Sequence, residues 1–403
     1  MSGSVGERIA AYRRRRGLSQ TALAGLVGRS ESWLSQVERG IRSVDRLSVL
    51  LDMAKVLRVE VEALTGVPWQ YAPDGGSVAG GLGGVRRFFT QYDSLFPAEP
   101  VQRIDVAVVR SDVVRAHAAY QAARYEEVIG GLPELLGAAD VLHRSARSDV
   151  RRDALLEYVS AYLVASKLLT KMGASDLALL AADRCATAAV DAESLAARGT
   201  AAYQVVCALL RSDRPEDAES LAVRMAEEVQ QHARQDAPTL VSVAGALWLI
   251  AAVIASRRTD RIEALRRLDL ADGLADLLGH DANHAWTAFG PTNVAIHRVS
   301  VAAELGDPAE ALRLAAPVEP DRLPAGLSSR RAQIHLDLAW AHAQRKRDAD
   351  ALLQLLEAEH LAPEAVRYNV IIRELVREML GRHKRGVKSS ALHSLAVRAG
   401  VLD

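Results

Sequence analysis

Residues 19–40 contain two short helical segments joined by a tight turn, and this stretch constrains the fold more than any other. Ser19 and Ser30 each precede a segment, where a serine side chain caps the first backbone amides. Gly28 lies in the turn, where a positive φ lets two helices meet at a steep angle. The spacing predicts a helix-turn-helix unit, whose second helix enters the major groove of DNA. The predicted buried seam consists of Leu23, Ala24, Val27, Leu34 and Val37.

The residues around this stretch extend the pattern into a resemblance. Residues 5–66 resemble the Xre or lambda-repressor-like family, which carries the motifs Leu18-Ser19-Gln20, Leu23-Ala24, Val27-Gly28 and Val37-Glu38-Arg39-Gly40. The resemblance implies a five-helix DNA-binding domain over residues 1–66. Helical spacing of leucines places its fourth helix near residues 45–57, and a fifth is expected near residues 60–64.

The charge distribution agrees with an N-terminal DNA-binding domain that is followed by a domain of a different kind. The 403-residue chain has a formal net charge of zero. Residues 1–66 carry eleven basic and seven acidic side chains, a balance of +4, so the remainder carries −4. A basic head favours a double-stranded DNA operator as partner.

The second helix of the unit supplies the predicted base contacts. With Leu34 and Val37 facing inward, the opposite face holds Ser32, Ser35, Gln36 and Arg39. The family resemblance assigns base-facing positions to Glu31, Ser32 and Gln36, whose side chains can bond to base edges. The alternative is a solvated polar helix face. Trp33 either packs on the fourth helix or touches a sugar or a thymine methyl group.

A second group of residues is predicted to contact the DNA backbone. Gln20 starts the first helix of the unit, where this family meets phosphate. Contacts of this kind position the domain and carry little sequence information. The run 13–16 of four arginines either reaches phosphate or complements the dipole of the first helix. The other predicted backbone contacts are Arg29, Arg39, Arg42 and Ser43.

Residues 67–84 are rich in glycine and proline and are predicted to form a flexible linker. A nucleotide-binding loop is the alternative for such glycines. It is disfavoured because no strand precedes them, and neither a complete G-x-G-x-x-G pattern nor a following Lys-Ser/Thr is present.

Residues 85–403 show helical periodicity almost throughout, which predicts an all-α chain. Pairs of helices recur at similar joints, which begin near residues 124, 173, 213, 259, 306 and 347. Alanines that follow the joints, at 178, 218, 264, 311 and 351, are 40 to 47 residues apart. A regular period of helix pairs predicts an α-solenoid with a concave inner face.

The joint at Gly306 resembles a tetratricopeptide repeat, although the period exceeds the usual 34 residues and armadillo-like pairs would also fit. A helical-repeat domain that follows a helix-turn-helix domain is similar to the arrangement in bacterial regulators that sense peptide pheromones and in Xre-type regulators of actinomycetes. The resemblance implies a homodimer but does not identify the ligand. A signalling peptide or a protein segment is expected, because a long concave groove suits a long ligand.

Four polar residues are the candidate ligand contacts in this body. Asn293 and His297 share a helix face, Asn369 is a second amide able to clamp a peptide backbone, and Arg330 can meet a carboxylate. The alternative for each is a structural role. Catalytic motifs and a metal site are not evident, so neither an enzyme nor a cofactor is predicted. Cys185 and Cys207 are expected to be reduced.

These features predict a cytoplasmic, sequence-specific DNA-binding regulator whose body senses a peptide or protein and dimerises. The two rival functions are a scaffold tethered to DNA, and a small-molecule-responsive regulator with a closed pocket. The sequence predicts no signal peptide, no run of about 18 apolar residues and hence no membrane association.

Overall fold

The computed structural model describes residues 4–16, 18–42, 44, 47–57, 59, 64, 77–92, 104–212, 214–382 and 390–402. Within these ranges the regular structure is helical, and no strand is present. This confirms the all-α prediction. The chain divides into two compact units, Met1–Tyr71 and Ala72–Asp403.

The first unit contains the predicted helix-turn-helix. Ser4, Ser19 and Ser30 cap three of its helices through their side-chain oxygens. Gly28 has a φ of +64° in the turn, as predicted. The predicted seam of five residues is buried. The helices are α1 (Val5–Arg15), α2 (Gln20–Leu26), α3 (Glu31–Glu38) and α4 (Leu47–Leu57). The predicted fifth helix falls mostly outside the described residues.

The second unit begins with a helix where a flexible linker was predicted. Helix α5 (Ser77–Thr90) includes residues 77–84, so that part of the linker prediction is wrong. Leu82, Val85 and Phe89 recur on one helical face and are buried. Gly81 lets this face approach the next helices closely, because a Cβ there would lie 2.9 Å from Ile129 Cγ1.

Six antiparallel helix pairs follow, and each predicted joint lies where the second helix of a pair begins. The five alanines used to measure the period are fully buried at the contacts between helices. The pairs are α6 (Val106–Gln121) with α7 (Tyr125–Ser145), α8 (Arg151–Lys171) with α9 (Ser175–Asp191), α10 (Leu195–Arg211) with α11 (Pro215–Gln230), α12 (Pro238–Arg257) with α13 (Arg261–Leu278), α14 (Pro291–Glu304) with α15 (Pro308–Ala315), and α16 (Ser328–Gln344) with α17 (Asp348–Leu361).

In five of the six pairs the turn is tight because one described residue adopts the left-handed conformation. The longer period arises from the helices, since α6–α13 are 16 to 21 residues long. The left-handed turn residues are Ala123, Gly173, Thr259, Gly306 and Lys346.

The last helices of the second unit return to the first ones. Helix α16 contacts α6, and Ala332, Leu336 and Ala339 of α16 belong to the same continuous apolar core as α6–α9. The last helix pair therefore packs against the first ones. The chain ends with α18 (Pro363–Arg367), α19 (Val370–Arg382) and α20 (Ser390–Arg398).

The expectation of no long apolar segment is wrong for α12. This 20-residue helix has a mean hydropathy of 2.1 over its most apolar window, enough to cross a membrane by length and composition. In this fold 72% of that window is buried. A helix that packs on all sides inside a protein is apolar all round, which explains the composition.

Candidate DNA-binding face and ligand cavity

Helix α3 presents the predicted polar face. Leu34 and Val37 are fixed in the core of the first unit, so the opposite side of the helix points away from it. Glu31 and Ser32 are exposed, and Ser35 and Gln36 are partly exposed. The structure therefore brings Glu31, Ser32 and Gln36, the residues predicted to face bases, together with Ser35, on a helix whose N-terminal end is capped by Ser30.

Two contacts order the start of this face. Thr21 Oγ1 donates a hydrogen bond of 2.6 Å to a carboxylate oxygen of Glu31, which joins α2 to α3. The Arg29 guanidinium lies 5.5 Å from the centre of the Trp33 ring. Trp33 is partly buried against the core of the unit. The cation–π contact holds Arg29 beside the base-facing residues.

The end of α3 places two arginines on the surface. The Gln36 carbonyl accepts hydrogen bonds from the amides of Ile41 and Arg42, at 2.9 Å and 3.2 Å. The chain therefore folds back at the helix end, and Arg39 and Arg42 are both exposed there. Ser43, the remaining predicted backbone contact, lies outside the described residues.

Gln20 and part of the arginine run have internal partners that the sequence did not reveal. Glu38 accepts hydrogen bonds from Arg13 Nε at 2.6 Å and from Gln20 Nε2 at 2.7 Å. Arg16 Nε donates to the carbonyl of Leu57 at 2.8 Å. These side chains therefore join helices of the unit, and the phosphate contacts of Gln20 and of the arginine run stay a prediction.

The electrostatics of this network favour a charged Glu38. Burial alone would raise the pKa of its carboxyl group. Hydrogen bonds from Arg13 and Gln20, together with the charges of Arg13 and Arg14, outweigh burial and hold the pKa below its usual value.

The second unit contains a cavity of about 220 Å³ between the early helix pairs and α16. Its wall mixes polar and apolar surface, with amides and phenols interspersed among apolar side chains. Among its described lining residues are three cations and no carboxylate. The polar lining residues include Lys167, Lys171, Arg330, Gln121, Gln204, Gln333, Tyr120, Tyr125 and Tyr203.

Of the four predicted ligand residues, only Arg330 lines this cavity. Asn293 and His297 are buried in α14, and His297 Nδ1 lies 2.8 Å from the Asn293 carbonyl oxygen. Asn369 caps α19, since its Oδ1 accepts from the amides of Ile371 and Ile372. The structure thus does not bring the four residues into one site, and for Asn369 it shows the structural alternative.

Two lysines that the sequence analysis did not single out lie beside Arg330. Burial lowers the pKa of both Lys167 and Lys171 to about 8. Because one pKa unit corresponds to about 1.4 kcal/mol, keeping each lysine charged costs the fold about 3 kcal/mol. A signal was present in the sequence, since these lysines are spaced by four in a largely apolar helix of a chain with six lysines.

A strained loop between α13 and α14 forms one side of the cavity. Ala285, Trp286 and Ala288 have φ angles of 49°, 59° and 53°. Residues held in this region cost of order 1–3 kcal/mol each and persist only where their surroundings enforce them. Such strain is concentrated at ligand sites and switches, so the position of this loop beside the cavity is informative.

Contacts with α6 and α8 hold the loop in place. The side-chain amides of Asn283 and Gln121 exchange two hydrogen bonds of 2.8 Å and 2.9 Å. The Trp286 ring stacks on His117 at 4.6 Å with an interplanar angle of 4°. Lys167 Nζ donates a hydrogen bond of 3.0 Å to the Trp286 carbonyl. A cavity lysine and the loop backbone are therefore directly connected.

Comparison with known proteins identifies the first unit. A family model described as a helix-turn-helix domain matches residues 4–65. This match coincides with the four described helices and their capped turn. The first unit is thus a helix-turn-helix domain, a class of domain that binds DNA.

Two solved structures are similar to this chain. One is PlcR of Bacillus thuringiensis in complex with the peptide PapR7 and DNA, with 12% identity, a TM-score of 0.35, and coverage of 85% of this chain and 98% of that one. The other is the apo form of the competence regulator ComR from Streptococcus vestibularis, with 14% identity, a TM-score of 0.24, and coverage of 74% and 97%. No curated protein is similar enough in sequence to count as a relative.

Proposed function

We propose that this protein is a ligand-responsive transcription regulator, in which the first unit reads an operator and the second unit senses a signal. The observation that carries the proposal is the polar cavity of the second unit, because DNA binding does not require it. A regulator changes operator affinity when its ligand has different affinities for two states of the protein.

The proposed ligand is a peptide or a segment of another protein. Three glutamine amides line the cavity, and Gln204 can offer a donor and an acceptor to a peptide backbone. The amides of Gln121 and Gln333 already bond to Asn283 and Asp337. A cation cluster suits the terminal carboxylate of such a chain. A small-molecule signal is the second candidate. The cavity volume of about 220 Å³ favours it, because a cavity of roughly 150 Å³ already accommodates benzene.

We further propose that the regulator acts in the cytoplasm as a homodimer. One short recognition helix reads few base pairs, and regulators of this kind gain affinity by placing two heads on a palindrome. The half-sites are then expected about 10 base pairs apart, centre to centre, or at a multiple of that distance.

Selection of DNA by the full-length protein tests this function. Random duplexes retained by the protein are sequenced, and a palindromic motif is expected. The variant Gln36→Ala/Arg42→Ala serves as the control and is expected to enrich the motif more weakly, with preference relaxed at one position. Light scattering of the full chain at tens of micromolar measures the oligomeric state. Equal enrichment by both proteins would contradict the assignment of α3 as the reading helix.

A further inference from the structure

The cavity of the second unit gathers positive charge without compensation. Lys167 and Lys171 extend from α8, in the second helix pair. Arg330 extends from α16, in the last helix pair. Within the part of the chain that the structure describes, no carboxylate forms an ion pair with any of the three. Buried cations are ordinarily paired, so this arrangement has a cost that folding alone does not explain.

The groups around the cations indicate the chemistry of the rest of the ligand. Lys171 Nζ lies 5.9 Å from the centre of the Tyr125 ring, and Tyr120 and Tyr203 also line the cavity. Flat aromatic walls favour an aromatic or other planar portion next to the charge. The volume of about 220 Å³ limits the occupant to a small molecule or the last residue or two of a chain.

We propose that this cavity binds an organic anion, a carboxylate or phosphate attached to a planar group, whose charge is neutralised by Lys167, Lys171 and Arg330. The inference rests on the proposed function and deepens it, because it names the ligand chemistry of the sensing site. A peptide ending in a free carboxylate and a free small anion share this chemistry.

Binding of the anion has a direct route to the strained loop. In the structure, Lys167 Nζ donates to the Trp286 carbonyl, and Trp286 lines the same cavity. An anion that takes a hydrogen bond from Lys167 competes with this carbonyl. The Trp286 backbone then loses a contact that holds its positive φ, and the indole ring changes its position on His117. The indole emission of Trp286 therefore reports occupancy.

Two anions and a matched neutral compound test the site on the full-length protein. N-acetyl-phenylalanine represents the carboxyl end of a peptide, phenyl phosphate represents a free small anion, and N-acetyl-phenylalaninamide lacks the charge. Tryptophan emission is titrated with each compound up to millimolar concentration. At least one anion is expected to give a saturable change at ten-fold lower concentration than the amide. The change should be absent from the variant Trp286→Phe.

The order of the two anions separates the sources of the ligand. Tighter binding of N-acetyl-phenylalanine indicates a peptide terminus, and tighter binding of phenyl phosphate indicates a phosphorylated small molecule. Either order supports the proposal. Equal binding of anion and amide, or no response to either anion, overturns it.

Charge removal provides the second test. Lys167→Met and Arg330→Gln should each weaken anion binding at least ten-fold. Lys346→Met removes an exposed lysine outside the cavity and should leave binding unchanged. Lys167→Met removes an unfavourably buried charge together with the hydrogen bond to the Trp286 carbonyl, so the melting temperature should change little. Unchanged affinity in both cavity variants, or a marked loss of stability in Lys167→Met, would show that the cations serve the fold. The operator selection proposed above uses no added anion, so its result does not depend on these outcomes. Failure of the anion site and failure of the proposed function can therefore be told apart.

Discussion

The carboxylate of Glu38 accepts hydrogen bonds of 2.6 Å and 2.8 Å from the guanidinium of Arg13, and the two side chains are only 6% and 13% exposed. This pair joins α1 to the last residue of α3. Gln20 donates to the same carboxylate, so α2 is joined as well. The angle of the reading helix against the rest of the unit therefore depends on one buried carboxylate.

The first prediction is that Glu38→Gln loosens the helix-turn-helix unit. Removing one partner of a buried, hydrogen-bonded ion pair costs about 3–5 kcal/mol, because the other charge is left uncompensated. Hydrogen exchange of the full-length protein measures this locally, as lost amide protection over residues 20–38. Glu31→Gln is the matched control on the same helix, since Glu31 is exposed and accepts a hydrogen bond from the neutral Thr21 hydroxyl. Equal loss in both variants would contradict the role given to the pair.

The second prediction concerns acid sensitivity of the same unit. The pKa of Glu38 is lower in the folded protein than its usual value of 4.5. The stabilisation from the pair is therefore fully present above pH 4.5 and is lost as the pH falls through the lower, folded-state pKa. Protection of α3 amides in wild type should decrease below pH 4.5, whereas Glu38→Gln should lack this step. An identical acid profile in both proteins would contradict the assignment.

The third prediction separates reading of bases from attraction to the backbone. Gln36→Ala should cost about 1–3 kcal/mol on the selected operator and relax preference at one position. Arg42→Ala should weaken all sequences similarly and reduce the dependence of affinity on salt. Titrations of operator and scrambled duplex at two salt concentrations measure both effects. Full operator affinity in both variants would mean that α3 is not docked in the major groove.

Local patterns in the sequence were sufficient to predict most of the fold. The caps Ser19 and Ser30 and the left-handed Gly28 act within one or two turns of chain, so their roles can be read from spacing alone. The buried alanines at the joints also recur at a fixed distance. In residues 77–84 the same reasoning failed, because abundant glycine suggested a linker while Leu82 starts an apolar face that packs on α7.

The sites were less predictable because they depend on distant residues. Arg13 was expected near phosphate, yet its partner Glu38 is 25 residues away and is revealed only by the packing of α3 on α1. Arg330 was chosen correctly as a cavity residue, but Lys167 belongs to a helix more than 150 residues earlier. Their proximity follows from the return of α16 to α6, which helical periodicity does not specify.

The fourth prediction is that binding of N-acetyl-phenylalanine weakens above pH 8. The pKa values of Lys167 and Lys171 are about 8 in the free protein, because burial disfavours their charged forms. A bound carboxylate raises both pKa values, so affinity should be constant below pH 8. Above pH 8 affinity should fall, because binding must then take up as many as two protons. Fluorescence titrations from pH 6 to 9.5 measure this, and a flat profile would contradict a role for the lysines. The other ionisable groups that influence these lysines are His117, Cys185, Cys207, Arg211 and Arg330.

The last prediction is that relieving backbone strain in the loop beside the cavity weakens binding of the anion. Ala285 and Ala288 hold φ angles of 49° and 53°, and glycine adopts such angles without steric cost. The double variant Ala285→Gly/Ala288→Gly should therefore stabilise the observed conformation of the loop by about 1–2 kcal/mol. If an anion must displace the Trp286 carbonyl from Lys167, that stabilisation opposes binding, and affinity should fall roughly 5- to 30-fold. Thr259→Gly relieves a φ of 60° in a turn outside the cavity and should leave affinity unchanged. Tighter or equal binding by the double variant, measured by the same tryptophan titration, would show that the loop does not move when the cavity fills.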